Sequence, residues 1–73
     1  MFVVYRVIDM RAGEGQPVEI TIENVRSPEE AVRKALGLDV VRSGNRNDLV
    51  ARVYWQAADQ PVTMVRLYRR LAN

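Results

Sequence analysis

Apolar and polar residues alternate with a period of two in several segments of the chain. The clearest alternation covers residues 18–25, where valine and isoleucine take turns with glutamate and threonine. This pattern is typical of a β-strand with one buried and one solvated face. Segments 49–57 and 62–71 alternate in a similar way, and segment 2–9 is rich in β-branched and aromatic residues. The pattern therefore predicts four strands, and the first, which is largely apolar on both faces, is expected inside a sheet.

A helix is predicted for residues 28–36, because both of its ends are encoded locally. Ser27 can accept a hydrogen bond from the first turn, and Pro28 loses nothing at a position whose N–H has no partner. Glu30 completes a capping box with Ser27. Gly37 can take the left-handed conformation that ends a helix. So short a helix is marginal alone, and its apolar face must pack against another element.

The other segments are predicted as loops and one further short element. Residues 11–17, 43–48 and 58–61 have the glycine, proline, asparagine and aspartate content of loops. Residues 38–42 form either a short strand or a cover over one end of the core. The predicted fold is a single α+β domain over residues 1–73, an antiparallel sheet of four to five strands in the order ββα(β)ββ. The helix packs on one face of that sheet, because each apolar face then finds a cover.

The composition excludes several classes of catalytic site. The chain has 73 residues, enough for one domain with one core, and it contains neither cysteine nor histidine. Thiolate and imidazole metal sites, Ser-His-Asp triads and Cys-His pairs are therefore impossible within it. We predict a protein that is not an enzyme and that uses no cofactor and no metal. The enzymatic alternative would need a pocket that joins two of the carboxylates of Asp9, Asp39 and Asp48.

Charge is distributed unevenly along the chain. Residues 1–40 carry five basic and seven acidic side chains, whereas residues 41–73 carry six basic and two acidic ones. Ten of the eleven basic residues are arginine. This preference reflects either codon usage or recognition of phosphate and carboxylate groups, for which the bidentate guanidinium is better suited than the lysine ammonium.

The last two predicted strands place arginines beside aromatic residues on one side. If Val53 and Trp55 face the helix, seven side chains share the opposite face, and Arg6 can join them from the first strand. These candidate binding residues are Arg52, Tyr54, Gln56, Met64, Arg66, Tyr68 and Arg70. The same alternation assigns Leu49 to the helix side and Val50 to the opposite side. A register shifted by one residue would instead bring Trp55 to the uncovered face.

Three roles are open to such a face. Arginine stems and tyrosine rings can stabilise a sheet by cross-strand packing alone. The same residue types are enriched in protein interfaces. They also form platforms for single-stranded nucleic acid, where guanidinium groups hold phosphates and rings stack on bases. We expect an accessory or regulatory domain that binds a protein partner or forms a homodimer, with nucleic-acid binding as the alternative.

The sequence also predicts a cytoplasmic protein without a membrane partner. It has no apolar run long enough to span a bilayer. Its first residues lack the basic start and long apolar stretch of a signal peptide. The absence of cysteine is compatible with a reducing compartment.

Overall fold

Five strands form one antiparallel sheet in the computed structural model, which describes residues 3–11 and 18–70. The strands are β1 (Tyr5–Asp9), β2 (Val18–Ile22), β3 (Val40–Val41), β4 (Leu49–Trp55) and β5 (Thr63–Arg69). Their spatial order is β2-β1-β4-β5-β3, so β1 lies inside the sheet as its apolar faces predict. The helix α1 (Pro28–Leu36) packs against the sheet. The predicted α+β fold is confirmed, and the element predicted at residues 38–42 is a strand of two residues.

The strands are shorter than the alternation predicts. β2 ends at Ile22, and Asn24 then adopts a left-handed conformation with a φ of 65° that takes the chain out of the sheet. β4 ends at Trp55, and a hydrogen-bonded turn follows it. The ends of the first and last predicted strands, and most of the loop predicted at residues 11–17, lie outside the described residues.

Hydrogen bonds to capping residues fix both ends of α1. The Glu30 backbone N–H donates to Ser27 Oγ at 3.1 Å. At the other end Gly37 has a φ of 70°, and its N–H donates to the Arg33 carbonyl at 2.8 Å. The Glu30 carboxylate accepts from the Arg26 N–H at 3.0 Å, one residue before the N–H that a capping box predicts. The helix has the predicted bounds, and within the described chain no helix has the length and apolar character to cross a membrane.

The core lies between α1 and the sheet. Leu67 and Val53 from the strands and Val32 from the helix are fully buried. Burial of each such side chain contributes about 1.5–3 kcal/mol relative to an exposed position. Trp55 packs against the same cluster, with its ring centroid 5.3 Å from that of Tyr5. The register therefore places Trp55 on the helix side of the sheet.

A β-bulge near the start of β4 changes which side chains reach the core. Leu49 pairs with Tyr68 and Ala51 pairs with Leu67, so Val50 is an extra residue on β4. Val50 and Ala51 are both buried, at 3% and 0% relative exposure. The predicted alternation is wrong here, because the extra residue shifts the pattern by one. Val50 lies in the core, and Leu49 lies on the uncovered side of the sheet.

An ion pair ties α1 to the segment after β3. The Arg42 guanidinium donates to both oxygens of Glu29, at 2.8 Å from Nε and 3.2 Å from Nη2. These hydrogen bonds, with the positive charge of Arg42, lower the pKa of Glu29. Both side chains remain partly exposed, so solvent limits the contribution of the pair to at most about 1 kcal/mol.

Replacing Ser27 with alanine tests the helix cap. The change removes the acceptor of the Glu30 N–H and leaves the helical residues unaltered. We expect Ser27→Ala to lower the free energy of unfolding by about 1 kcal/mol, measured by urea denaturation followed through Trp55 fluorescence. Ser43→Ala is the matched control, because Ser43 is exposed and lies outside the helix and the strands. Equal losses in the two variants would contradict the capping role.

The Glu29–Arg42 pair predicts a pH-dependent effect. Because the folded-state pKa of Glu29 is lowered, the pair stabilises the fold above the unfolded-state pKa of about 4.3. This contribution is lost as the pH falls through the lower, folded-state pKa. We expect Glu29→Gln to reduce the free energy of unfolding at neutral pH by at most about 1 kcal/mol. In urea titrations over a pH series the two proteins should converge in acid. A stability difference that stays the same from neutral to acid pH would contradict the role of the ion pair.

Candidate binding face

The sheet surface that faces away from α1, here called the open face, has no helix over it within the described residues. It is formed by alternate residues of the five strands. Its members are Arg6, Ile8, Glu19, Thr21, Val41, Leu49, Arg52, Tyr54, Met64, Arg66 and Tyr68. The open face therefore combines arginines and tyrosines with a few aliphatic side chains.

Strand pairing arranges the open face in rows that run across the sheet. In one row Arg6 lies opposite Tyr54, and Tyr54 lies opposite Met64. In the next row Arg52 lies directly opposite Arg66. Directly opposed residues have Cβ atoms about 4.5–5.5 Å apart, so each row is a set of neighbouring side chains.

Five of the seven residues predicted from the sequence lie together on the open face. They are Arg52, Tyr54, Met64, Arg66 and Tyr68, and Arg6 joins them from β1. Gln56 and Arg70 lie just beyond the ends of β4 and β5 and have other partners. Gln56 Nε2 donates to the Gln60 carbonyl at 2.9 Å, and Arg70 Nε lies 2.9 Å from Asp39 Oδ2. Both side chains therefore make local contacts beyond the ends of the two strands.

Arg6 and Tyr54 form a cation–π contact in the middle of the face. The Arg6 Cζ lies 5.7 Å from the centroid of the Tyr54 ring. At an exposed site such a contact contributes about 0.5–1 kcal/mol. It places a guanidinium across the surface and covers part of one side of the ring.

Four arginines at the open face have no carboxylate partner within the described residues. The ion pairs found there use Arg11, Arg42 and Arg70. The four without such a partner are Arg6, Arg52 and Arg66 on the strands and Arg46 at the edge, in the 3-10 turn Arg46–Asp48. Glu19, on the edge strand β2, is the carboxylate among the members of the face. The face therefore carries an excess of positive charge.

A groove lies at one end of the open face and is here called the basic groove. Its described lining is Arg46, Leu49, Arg52, Arg66 and Tyr68, and its volume is about 480 Å³. Sites for small ligands have volumes of about 300–1,000 Å³. The Nε atom of Arg52 is buried and has no hydrogen-bond partner among the described residues. The basic groove therefore has the size of a ligand site and an unused donor on one of its lining residues.

The sequence pattern does not predict two residues of the basic groove. The alternation assigns Leu49 to the core, because a pattern of period two does not reveal the bulge that turns this residue outward. Arg46 lies in a predicted loop, where no periodic pattern assigns side chains to a face. The one signal that points to it is the excess of arginine in residues 41–73.

Gly44 packs directly on Tyr68 beside the basic groove. A Cβ atom built on Gly44 would lie 2.8 Å from Tyr68 Cβ and 3.0 Å from Tyr68 Cγ. Real Cβ atoms do not approach other carbons so closely, and the Tyr68 Cβ cannot move without its backbone. The loop therefore holds the base of the Tyr68 side chain from one side and requires glycine to do so.

Of the carboxylates considered for catalysis, Asp9 and Asp39 are not among the members of the open face, and Asp48 lies in the turn beside the basic groove but is not part of its described lining. Asp9 accepts from Arg11 Nε and Arg11 Nη2, each at 3.1 Å. These side-chain hydrogen bonds lower the pKa of Asp9. Asp39 lines a separate cavity of about 370 Å³, whose described lining includes neither Asp9 nor Asp48. Within the described chain, no group of three or more acidic, cysteine or histidine side chains is placed to hold a metal ion.

Comparison of the chain with protein-family models, with curated proteins and with solved structures finds no match. The function is therefore argued from the geometry and charge of the open face.

Replacing Gly44 with alanine tests the contact that positions Tyr68. The added methyl group overlaps the Tyr68 side chain, so we expect Gly44→Ala to lower the free energy of unfolding by about 1–3 kcal/mol. The ring resonances of Tyr68 should move in NMR spectra, while those of Tyr5 in the core should not. Ser43→Ala alters the neighbouring loop position without this overlap. Unchanged stability and unchanged Tyr68 resonances in Gly44→Ala would contradict the close packing.

Proposed function

We propose that this chain is a non-enzymatic binding domain whose open face docks on an acidic surface of a partner protein. The observation that carries the proposal is the set of arginines at this face without carboxylate partners among the described residues. Complementary charge steers association and selects the partner. An accessory or regulatory role in the cytoplasm, as the composition suggests, is part of the same proposal.

Charge favours a different partner over a second copy of the chain. Two open faces brought together would place arginines of one copy against arginines of the other. Like charges in contact across an interface are unfavourable by several kcal/mol. A homodimer through this face is therefore a weaker candidate than a complex with an acidic protein.

Single-stranded nucleic acid is the second candidate. The face offers guanidinium groups for phosphates and two tyrosine rings for bases. One of the two rings is partly covered within the domain, however, because Arg6 lies over Tyr54. Stacking on bases needs free ring surface, so this contact favours the protein partner.

An NMR titration of the ¹⁵N-labelled chain compares the two candidates. The probes are a short glutamate-rich peptide and a short oligothymidylate, each at low and at physiological salt. We expect the peptide to shift resonances of the open face and not those of α1. Arg66→Gln should weaken its binding roughly two- to fivefold, as expected for one exposed ion pair. Arg33→Gln is the control, because it removes the same charge from an exposed position on α1.

Three outcomes would contradict the proposal. Oligothymidylate that binds more tightly than the peptide at physiological salt, and that shifts the tyrosine ring resonances, would place nucleic acid first. In that case the logarithm of its binding constant would fall with the logarithm of the salt concentration, with a slope of about 0.7 per phosphate contact. A rotational correlation time that fits a dimer, together with loss of the dimer in Tyr54→Arg, would assign the face to self-association. Equal weakening in Arg66→Gln and Arg33→Gln would leave the open face without a role.

A further inference from the structure

Three arginines line one small concave site, the basic groove. Arg52 and Arg66 come from directly opposed positions on β4 and β5, and Arg46 comes from the 3-10 turn before β4. No carboxylate belongs to the described lining. We propose that the basic groove binds a phosphomonoester carried by a side chain of the partner protein. The inference rests on the proposed function, because the basic groove is one end of the open face.

The strand register places Arg52 directly opposite Arg66, and a bound anion would offset the repulsion between their positive charges. Like charges directly opposite one another on neighbouring strands destabilise a sheet. The Arg52–Arg66 pair has no described carboxylate partner to offset that effect. A bound anion between the two guanidiniums converts the repulsion into two attractive contacts.

The buried Nε of Arg52 indicates a side chain whose hydrogen bonds are incomplete in the free domain. A buried donor without a partner is unfavourable. This Nε atom has no acceptor within the described residues. An anion in the basic groove would draw the guanidinium toward itself and give this donor an acceptor. Bidentate hydrogen bonding of this kind is characteristic of arginine with phosphate and carboxylate.

The number of donors favours phosphate over carboxylate. A phosphomonoester carries about 1.5 to 2 negative charges at neutral pH and presents three strong acceptor oxygens. A carboxylate carries one charge on two oxygens. Three arginines around one groove match the phosphomonoester in both charge and acceptor number.

The apolar part of the lining favours an ester over free phosphate. Leu49, which the bulge turns outward, and the Tyr68 ring, which Gly44 positions, lie beside the arginines. They can contact the organic group to which the phosphate is attached. The basic groove thus fits an aryl phosphate such as a phosphotyrosine side chain.

The first experiment uses small probes and NMR titration of the ¹⁵N-labelled chain. We expect phenyl phosphate to bind more tightly than inorganic phosphate and than benzoate, and to shift resonances of Arg46, Leu49 and Arg66.

Substitutions of single arginines test the same site. Arg52→Gln should weaken the binding of phenyl phosphate roughly tenfold, the loss expected for a charge-assisted hydrogen bond. Arg46→Gln, at an exposed turn position, should also weaken it and provides a second test if Arg52→Gln does not fold. Arg33→Gln should leave the affinity for phenyl phosphate unchanged. Equal affinities for phenyl phosphate and benzoate, or equal effects of all three substitutions, would overturn the proposal.

The second experiment identifies the source of the phosphate. A short acidic peptide with phosphotyrosine should bind at least tenfold more tightly than the same peptide with tyrosine. Oligothymidylate with and without a 5′-phosphate forms the other arm. If the 5′-phosphate gives the larger gain, the partner assignment is overturned in favour of a nucleic-acid end.

Failure of this inference can be told apart from failure of the proposed function. If the glutamate-rich peptide still binds the open face while phenyl phosphate and phosphotyrosine add nothing, the phosphomonoester site is wrong and the acidic-partner proposal stands. If none of these probes binds, both are wrong.

Discussion

One helix of nine residues has to cover a sheet of five strands, and this shortage of helix governs the rest of the structure. α1 lies on one side of the sheet and buries valines, alanines and a leucine there. The other side must be stable in water without a layer above it. Side chains that combine apolar stems with polar ends meet that requirement, because they cover the sheet while their heads stay hydrated. The arginines and tyrosines of the open face are of this kind.

The bulge in β4 serves the covered and the uncovered side at once. On the helix side it brings Val50 and Ala51 together opposite Leu67, so two adjacent residues of one strand are buried. On the other side it brings Leu49 next to Tyr68. A regular strand would have placed Leu49 in the core and Val50 in water. The basic groove thus owes its apolar wall to the same irregularity that places Val50 in the core.

The elements of the fold were predictable because the signals for them are local. The Ser27 cap and the Gly37 stop encode α1 within one short segment, and the alternation of Val18–Ile22 encodes a strand with one buried face. The order of the strands and the position of the bulge depend on pairings between distant residues. A pattern of period two contains no information about such pairings. The alternation placed Arg52 and Arg66 on one face correctly, because they lie in the regular part of the β4–β5 pairing. It was wrong for Leu49 and Val50, because the bulge lies between Leu49 and Ala51.

The open face presents arginine in two capacities, and these do not exclude each other. Arg6 has a structural role, because its guanidinium lies over the Tyr54 ring of the neighbouring strand. Among the described residues, Arg6 is the arginine of the open face whose charge makes such a contact. What packing does not explain is the placement of Arg52 directly opposite Arg66 with no described carboxylate between them. Such a pair makes the free sheet slightly less stable than a neutral pair would. It becomes favourable when an anion is bound, and this difference between the free and bound states is what separates a binding surface from a merely solvated one.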